Sequence, residues 1–384
     1  MKKYLFVLMA LLIALTSCSN NSTYKVETVD GVKNFTNNGT PSIPDFDPGL
    51  KLKIKISGTE SDDDPEERVF SKVSDIVVDS KGSIYIADSH SSTIKKFDRA
   101  GKYIKTFGRL GNGPGEYGML GDMSIFNDTI VVFDQAAIKR VKFDTDGEFL
   151  GFKHFQQDAK PMFLEQINKE RNLGLKMAPK MIDGIVYFTV EVQMYDSKYN
   201  EIFSLDKRSM EIDTNNPQVN PTDIFTPVTF SDNNIFTAEV DENLFKYKVY
   251  GLSGKLEQTV KMSYKKSEVS KDRIEIFKGA VINSDGKKEN DLKRAYNKAI
   301  EDIYCDKFGR VWVKKAKTDE SVAGGYTEFS IFKDGVYLNS YKFKGNIVYN
   351  EILIMKDIFY FVGDKLYVAM DEDGEVYVNV YDYN

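Results

Sequence analysis

Apolar and polar positions alternate with period two through most of the chain, in short runs cut by Gly, Asp and Ser. The clearest passage is residues 73–108, VSDIVVDSKGSIYIADSHSSTIKKFDRAGKYIKTFG. Period two puts successive side chains on opposite faces of a strand, so each run predicts one short strand. Residues 73–79, 84–88, 93–98 and 102–107 are four such runs, and DSKGS and RAGK supply the turns. Asp and Ser bond back to nearby backbone N–H groups, and Gly accepts positive φ. The passage therefore predicts an antiparallel meander of four strands. One meander cannot cover both of its faces, so it needs copies of itself.

The chain supplies the copies. Residues 121–155 hold GDMSIFNDTIVVFD and IKRVKFDTDGEFLGF; residues 225–262 hold FTPVTFSDNNIFTAE and LFKYKVYGLSGKLEQTV. Residues 301–343 hold EDIYCDKFGRVWV and YTEFSIFKDGVYLNSYKF. A degenerate copy lies between the second and fourth, in GIVYFTVEV and EIFSLDKRSMEI. The last, KDIFYFVGDKLYVAMDEDGEVYVNVYDYN, offers only three strands. Residues 50–57 (LKLKIKIS) alternate well and have no partner nearby in sequence. As the missing strand they would close a ring and remove its free edges. The expected fold is all-β: a six-bladed β-propeller of four-stranded antiparallel blades, closed by an N-terminal strand over residues 50–384. A polar stretch at 265–298 interrupts the pattern between blades four and five. SEVSKDRIEIFKGA and DLKRAYNKAI within it have helical spacing, which predicts a small helical insertion.

The N-terminus has a different character. Lys2 and Lys3 precede an apolar run from Tyr4 to Leu15, which is too short to span a bilayer. This is the pattern of a signal peptide over residues 1–17. Leu15-Thr16-Ser17-Cys18 resembles the bacterial lipobox, which implies lipid attachment at Cys18 and a membrane partner reached through the lipid. Residues 18–49 are rich in Ser, Asn, Thr, Gly and Pro and read as a flexible tether. Ser19 and the absence of an acidic run after Cys18 point, by analogy, to the outer membrane facing the periplasm.

Composition removes several functions. A formal net charge of −6 without basic clusters argues against a nucleic-acid partner. Two His, at 90 and 154, cannot make a three-histidine zinc site within one chain. With Cys18 acylated, Cys305 is left without a disulfide partner and reads as a small buried hydrophobe.

The run IVVDSKGSIYIAD…IKKFDRAGKYIKTFG, followed by GRLGNGPGEY, resembles an NHL-type blade and its linker. Together with the lipobox it resembles the six-bladed β-propeller lipoproteins of Bacteroidetes. That resemblance implies a fold and a cellular address more than a reaction.

Candidate chemistry collects on one face. Asp75, Asp122, Asp302 and Asp357 open the first strand of four blades at one register, where blade four has Thr226. They are expected to ring the channel mouth. There they would either bond backbone N–H groups of their own or a neighbouring blade, or contact a ligand or an ion such as Ca2+. The same face should carry Asp88, His90, Arg109 and Glu116, residues 151–179 as an interruption of blade three, and the 265–298 insertion. Gly111-Asn112-Gly113-Pro114-Gly115 lacks the Lys-Ser/Thr ending of a phosphate loop. No catalytic residue is assigned. The leading expectation is a lipid-anchored, non-catalytic binding module for a protein, peptide or glycan. The rivals are a divalent-metal-dependent hydrolase or lyase at the channel mouth and a structural envelope scaffold.

Overall fold

The alternating runs become strands where the pattern places them. Blade one is Val73–Val78, Ile84–Asp88, Thr93–Phe97 and Tyr103–Phe107, paired in chain order. Its last hairpin shows why the turn sequence recurs. Asp98 Oδ1 accepts the Ala100 and Lys102 N–H groups at 2.9 Å each, and Gly101 takes φ 84°. A Cβ on Gly101 would lie 2.6 Å from Ile54 Cγ2 of a neighbouring blade, so the turn also needs the missing side chain.

The computed structural model describes residues 22–60, 65–134, 136–154, 161–182, 185–213, 225–270, 296–350 and 356–384. Within them the sheets repeat as a six-bladed propeller; blades one, two, three and five have four strands each, and the sheets of blades four and six carry added strands. Blade six is Phe359–Val362, Lys365–Glu372 and Glu375–Asp382, completed on its outer edge by β3 (Lys51–Ser57). β3 runs antiparallel to Glu375–Asp382, from Lys51 opposite Asp382 to Ser57 opposite Tyr377. The ring is therefore closed by pairing residues 51–57 with the last strand of blade six.

Side chains on the faces of neighbouring blades form the cores. Ile56, Ile76, Ile86, Phe97, Tyr367 and Val378 fill the seam between blades six and one. Trp312, Phe329, Phe359 and Val368 fill that between five and six. Trp312 is fully buried, and its Nε1 donates to Asp306 Oδ2 at 3.0 Å. Similar clusters join blades one and two, three and four, and four and five. Among the described residues no such cluster joins blades two and three. Polar contacts cross there, with the buried Arg140 donating from Nη2 to the Leu164 carbonyl at 2.7 Å.

Three expectations need correction or restriction. Residues 18–49 are not a flexible tether throughout. β1 (Tyr24–Val29) and β2 (Val32–Asn37) form a hairpin, and β2 adds parallel to Leu256–Met262, the outer strand of blade four. Ser42 and Ile43 then bond the Tyr337 and Leu338 carbonyls of blade five on the way to β3. Isolated, these short polar runs have no apolar face to commit them; blades four and five supply it around Phe35. Likewise, residues 151–179 do not interrupt blade three. Phe149–His154 is the outer strand of blade two, and Pro161–Asn168 and Arg171–Ile182 are the first two strands of blade three. The helical windows of the 265–298 insertion fall largely outside the described residues, as do the leader and Cys18.

Blade three is unusual in length. Arg171–Ile182, Ile185–Asp196 and Glu201–Asp213 have 12, 12 and 13 residues, against five in the corresponding strands of blade one. At about 3.3 Å per residue they extend roughly 20 Å past the ring. The join of the second and third strands lies at the projecting end, so the ribbon leaves the face that carries the Asp88 loop.

Candidate functional site

The first strand of each blade starts at the face where the second strand ends. That geometry brings the four repeated Asp residues to the same end of the channel, and all four are buried. They do not act alike. Asp75 Oδ1 accepts its neighbour's Ile76 N–H at 2.8 Å, and Oδ2 accepts Met123 N–H of blade two at 2.7 Å. Asp122 repeats the forward reach, taking the Leu164 N–H of blade three. Asp302 turns inward instead, to the Ile303 N–H and the Tyr304 hydroxyl, each at 2.8 Å. Asp357 meets Lys314 Nζ at 2.6 Å, both side chains being buried. The carboxylates of blades one and two thus lock blade to blade, that of blade five holds its own strand, and that of blade six neutralises a lysine.

The electrostatics follow from burial. Desolvation pushes the Asp75 carboxyl up to about 7 against the bonds from Met123 and Ile76, and nearby Asp122 adds to the rise. Desolvation pushes Asp122 up to about 6, opposed by the Arg140 guanidinium. Asp302 is raised by burial, with Lys356 opposing. Burial by itself would lower the Lys356 ammonium, but Glu165, Asp302 and Asp75 outweigh it and hold it above its ordinary range. Lys356 Nζ lies 3.6 Å from Glu165 Oε1. The channel mouth is a mixed network of acids and bases rather than a ring of carboxylates. Among the described residues no three His, Cys, Asp or Glu side chains are spaced to hold a metal ion. Asp122 Oδ1 has no protein donor in this network.

Sequence reasoning missed Glu165, Arg140, Lys314 and Lys356. One signal was present: Lys314 ends the second strand of blade five, where Asp88 and Asp134 end those of blades one and two. A charge reversal at a repeated register marks a partner for the opposite charge, here Asp357. Glu165 sits in the degenerate copy, where no register was legible.

The other candidates are turn and linker residues. Asp88 is buried; Oδ1 accepts Lys72 N–H at 3.0 Å, and Oδ2 accepts the Ser91 hydroxyl at 2.6 Å. Asp134 does the same in blade two, accepting the Gly118 and Met119 N–H groups at 2.8 and 3.1 Å. His90 is exposed and gives Asp88 its backbone N–H at 3.3 Å. Arg109 Nε donates to Glu116 Oε1 at 2.6 Å, and Glu116 Oε2 accepts Gly113 N–H at 2.7 Å. Those two bonds, the Gly113 one first, hold Glu116 below its usual range and clasp the Gly-rich link.

A cleft of about 640 Å³ opens between blades four and five on the same face. Tyr264, Lys266, Glu268, Lys315, Glu320 and Tyr326 are among the residues that line it. The short helix Asp319–Ala323, N-capped by Thr318, forms part of its wall. Aromatic rings interleaved with both signs of charge suit a polar ligand with some apolar surface.

A family model described as DUF5128, 6-bladed beta-propeller, matches residues 65–275, more than half of the 384. The chain belongs to that family. This DUF5128 chain is similar in fold to solved structures of low identity. A Bacteroides fragilis NCTC 9343 protein named as exported matches with TM-score 0.50 and 12% identity, covering 91% of this chain and 98% of its own. A duf4221 family member from Bacteroides vulgatus ATCC 8482 matches with TM-score 0.50 and 11% identity, covering 87% and 98%. At such identities the likeness shows the fold alone. No curated protein matches this DUF5128 chain.

Proposed function

We propose that the protein is a lipid-anchored envelope propeller serving as a non-catalytic binding module for a protein, peptide or glycan, held on its decorated face. One observation carries the reading: two large departures from the repeat leave the ring on the same face. The blade-three ribbon projects there, and the cleft between blades four and five opens there. Loops and extensions on a rigid scaffold are where recognition concentrates. An envelope address is supported by the basic-then-apolar leader ending in Leu15-Thr16-Ser17-Cys18 and by the exported name of the Bacteroides fragilis neighbour. Lipid attachment at Cys18, the periplasmic side of the outer membrane and an NHL-like repeat belong to the same proposal.

The test is site-specific photocrosslinking in the producing bacterium. A photoreactive residue replaces Tyr326 in the cleft or Lys105 on the far rim of blade one. A discrete adduct from Tyr326 and none from Lys105 is expected. The same adducts from both positions, or none from Tyr326, would overturn the reading.

A further inference from the structure

The first described residues already belong to the ring. Asn38 N–H donates to the Thr23 carbonyl at 3.0 Å, and β1 pairs with β2 from Tyr24 opposite Asn37 to Val29 opposite Val32. β2 continues the sheet of blade four, from Lys33 beside Gln258 to Asn37 beside Met262. Phe35 is buried in the seam between blades four and five. Asn37 bonds across that seam, donating to the Gly335 carbonyl at 3.0 Å and accepting Tyr337 N–H at 2.9 Å. The hairpin is built into the fold and does not lengthen a tether.

Covalent reach then becomes short. Only Ser19, Asn20 and Asn21 separate Cys18 from Ser22. Four Cα steps span at most roughly 14 Å, whereas a tether running to residue 49 would allow roughly 110 Å. β1 is the outermost strand of its six-stranded sheet, roughly 24 Å from the innermost at about 4.8 Å per strand. Blades contact in ring order, so blade one lies across the ring from blade four.

We infer that the outer rim of blade four, at the β1–β2 hairpin, rests against the membrane surface, with blade one farthest from it. The inference rests on lipid attachment at Cys18. The exposed edge holds Val26 and Val29 together with Lys25, Glu27, Asp30 and Lys33. Aliphatic groups beside ammonium groups suit the headgroup boundary. Both signs of charge are present, so the covalent reach sets the contact. Register adds a consequence. Tyr24, Asn37 and Met262 sit at one end of their strands, the end that leads into the cleft lined by Gly39, Ser263 and Tyr264. The cleft therefore opens beside the bilayer, and its partner is met at the membrane surface.

The experiment uses the full lipidated protein on phosphatidylethanolamine–phosphatidylglycerol vesicles carrying a headgroup-attached nitroxide quencher. Val26→Cys or Ile104→Cys, both exposed sites, carries a thiol-linked fluorophore. Cys305, the other free thiol, is changed to Ser in both variants so that only the introduced thiol is labelled. Quenching several-fold stronger at position 26 than at position 104 is expected. A spacer of about twelve Gly and Ser residues before Ser22 adds roughly 19 Å and should erase the difference while sedimentation with vesicles is unchanged. Equal quenching at the two positions in vesicle-bound protein, or a difference that survives the spacer, overturns the membrane contact. Protein that does not sediment with vesicles overturns lipid attachment, and this inference falls with it.

Discussion

Asp75→Asn tests whether the channel-mouth carboxylates are structural bolts held at a cost. Asp75 is 6% exposed and accepts two backbone N–H groups, one from each of two blades. Burial raises it from an ordinary 3.8 to about 7. A difference of about 3 units corresponds to about 4 kcal/mol between the protonated and ionised forms. The sign follows from the raised value. Below about pH 4 folded and unfolded chains both hold the proton. Between about 4 and 7 only the folded chain does, so stability falls as pH rises through that window and levels above it. The slope from this one group is at most about 1.4 kcal/mol per pH unit, and Asp122, raised to about 6, adds to it with the same sign. Asparagine has the same shape and no charge, but one acceptor facing two N–H groups. Leaving a buried N–H unpaired costs about 1–3 kcal/mol. The variant should therefore be less stable than the parent at pH 5, with the gap closing or reversing by pH 8. Urea unfolding followed by the single tryptophan, Trp312, measures this at each pH, with an unchanged m-value as the control. Parallel stability–pH curves for parent and variant would refute the assignment of the raised carboxyl.

Three further outcomes follow from the contacts. Asp357→Asn strips the buried Lys314 of its carboxylate at 2.6 Å and should cost about 3–5 kcal/mol in urea unfolding, whereas a Lys314→Met, Asp357→Leu double variant should recover most of it. Phe35→Ala opens the seam that holds the N-terminal hairpin; about 3–5 kcal/mol of lost stability and faster proteolysis within residues 22–37 are expected. The half-buried Cys305 thiol should react with a maleimide more slowly in the folded chain than in denaturant, because desolvation raises it to about 12; equal rates with and without urea would contradict the raised thiol.

The repeat was legible because its signals are local. Period-two alternation, an Asp–Gly turn such as Asp98–Gly101 and the orphan run at residues 50–57 together specify blades, their order and the closing strand. Each depends on residues within one strand or turn, or on a count of strands. The turn role of Asp88 was legible for the same reason, since its bonds to His90 and Ser91 lie within three residues. The repetition of Asp at one register also announced a shared position.

What each of those Asp residues does was decided only in the assembled ring. Asp75 reaches Met123, 48 residues away, and Asp357 meets Lys314 across a seam; neither partner is specified by the strand that bears the carboxylate. The channel mouth is a network of both charges because five blades converge there, and no stretch of chain contains it. Residues 22–46 show the same limit from the other side. Their composition reads as a linker, since short polar runs cannot bury enough surface alone to offset their ordering entropy. The exposed edge of blade four and the apolar seam around Phe35 supply what they lack. Local pattern determined the strands and their number. Long-range burial decided which polar segment joined the ring.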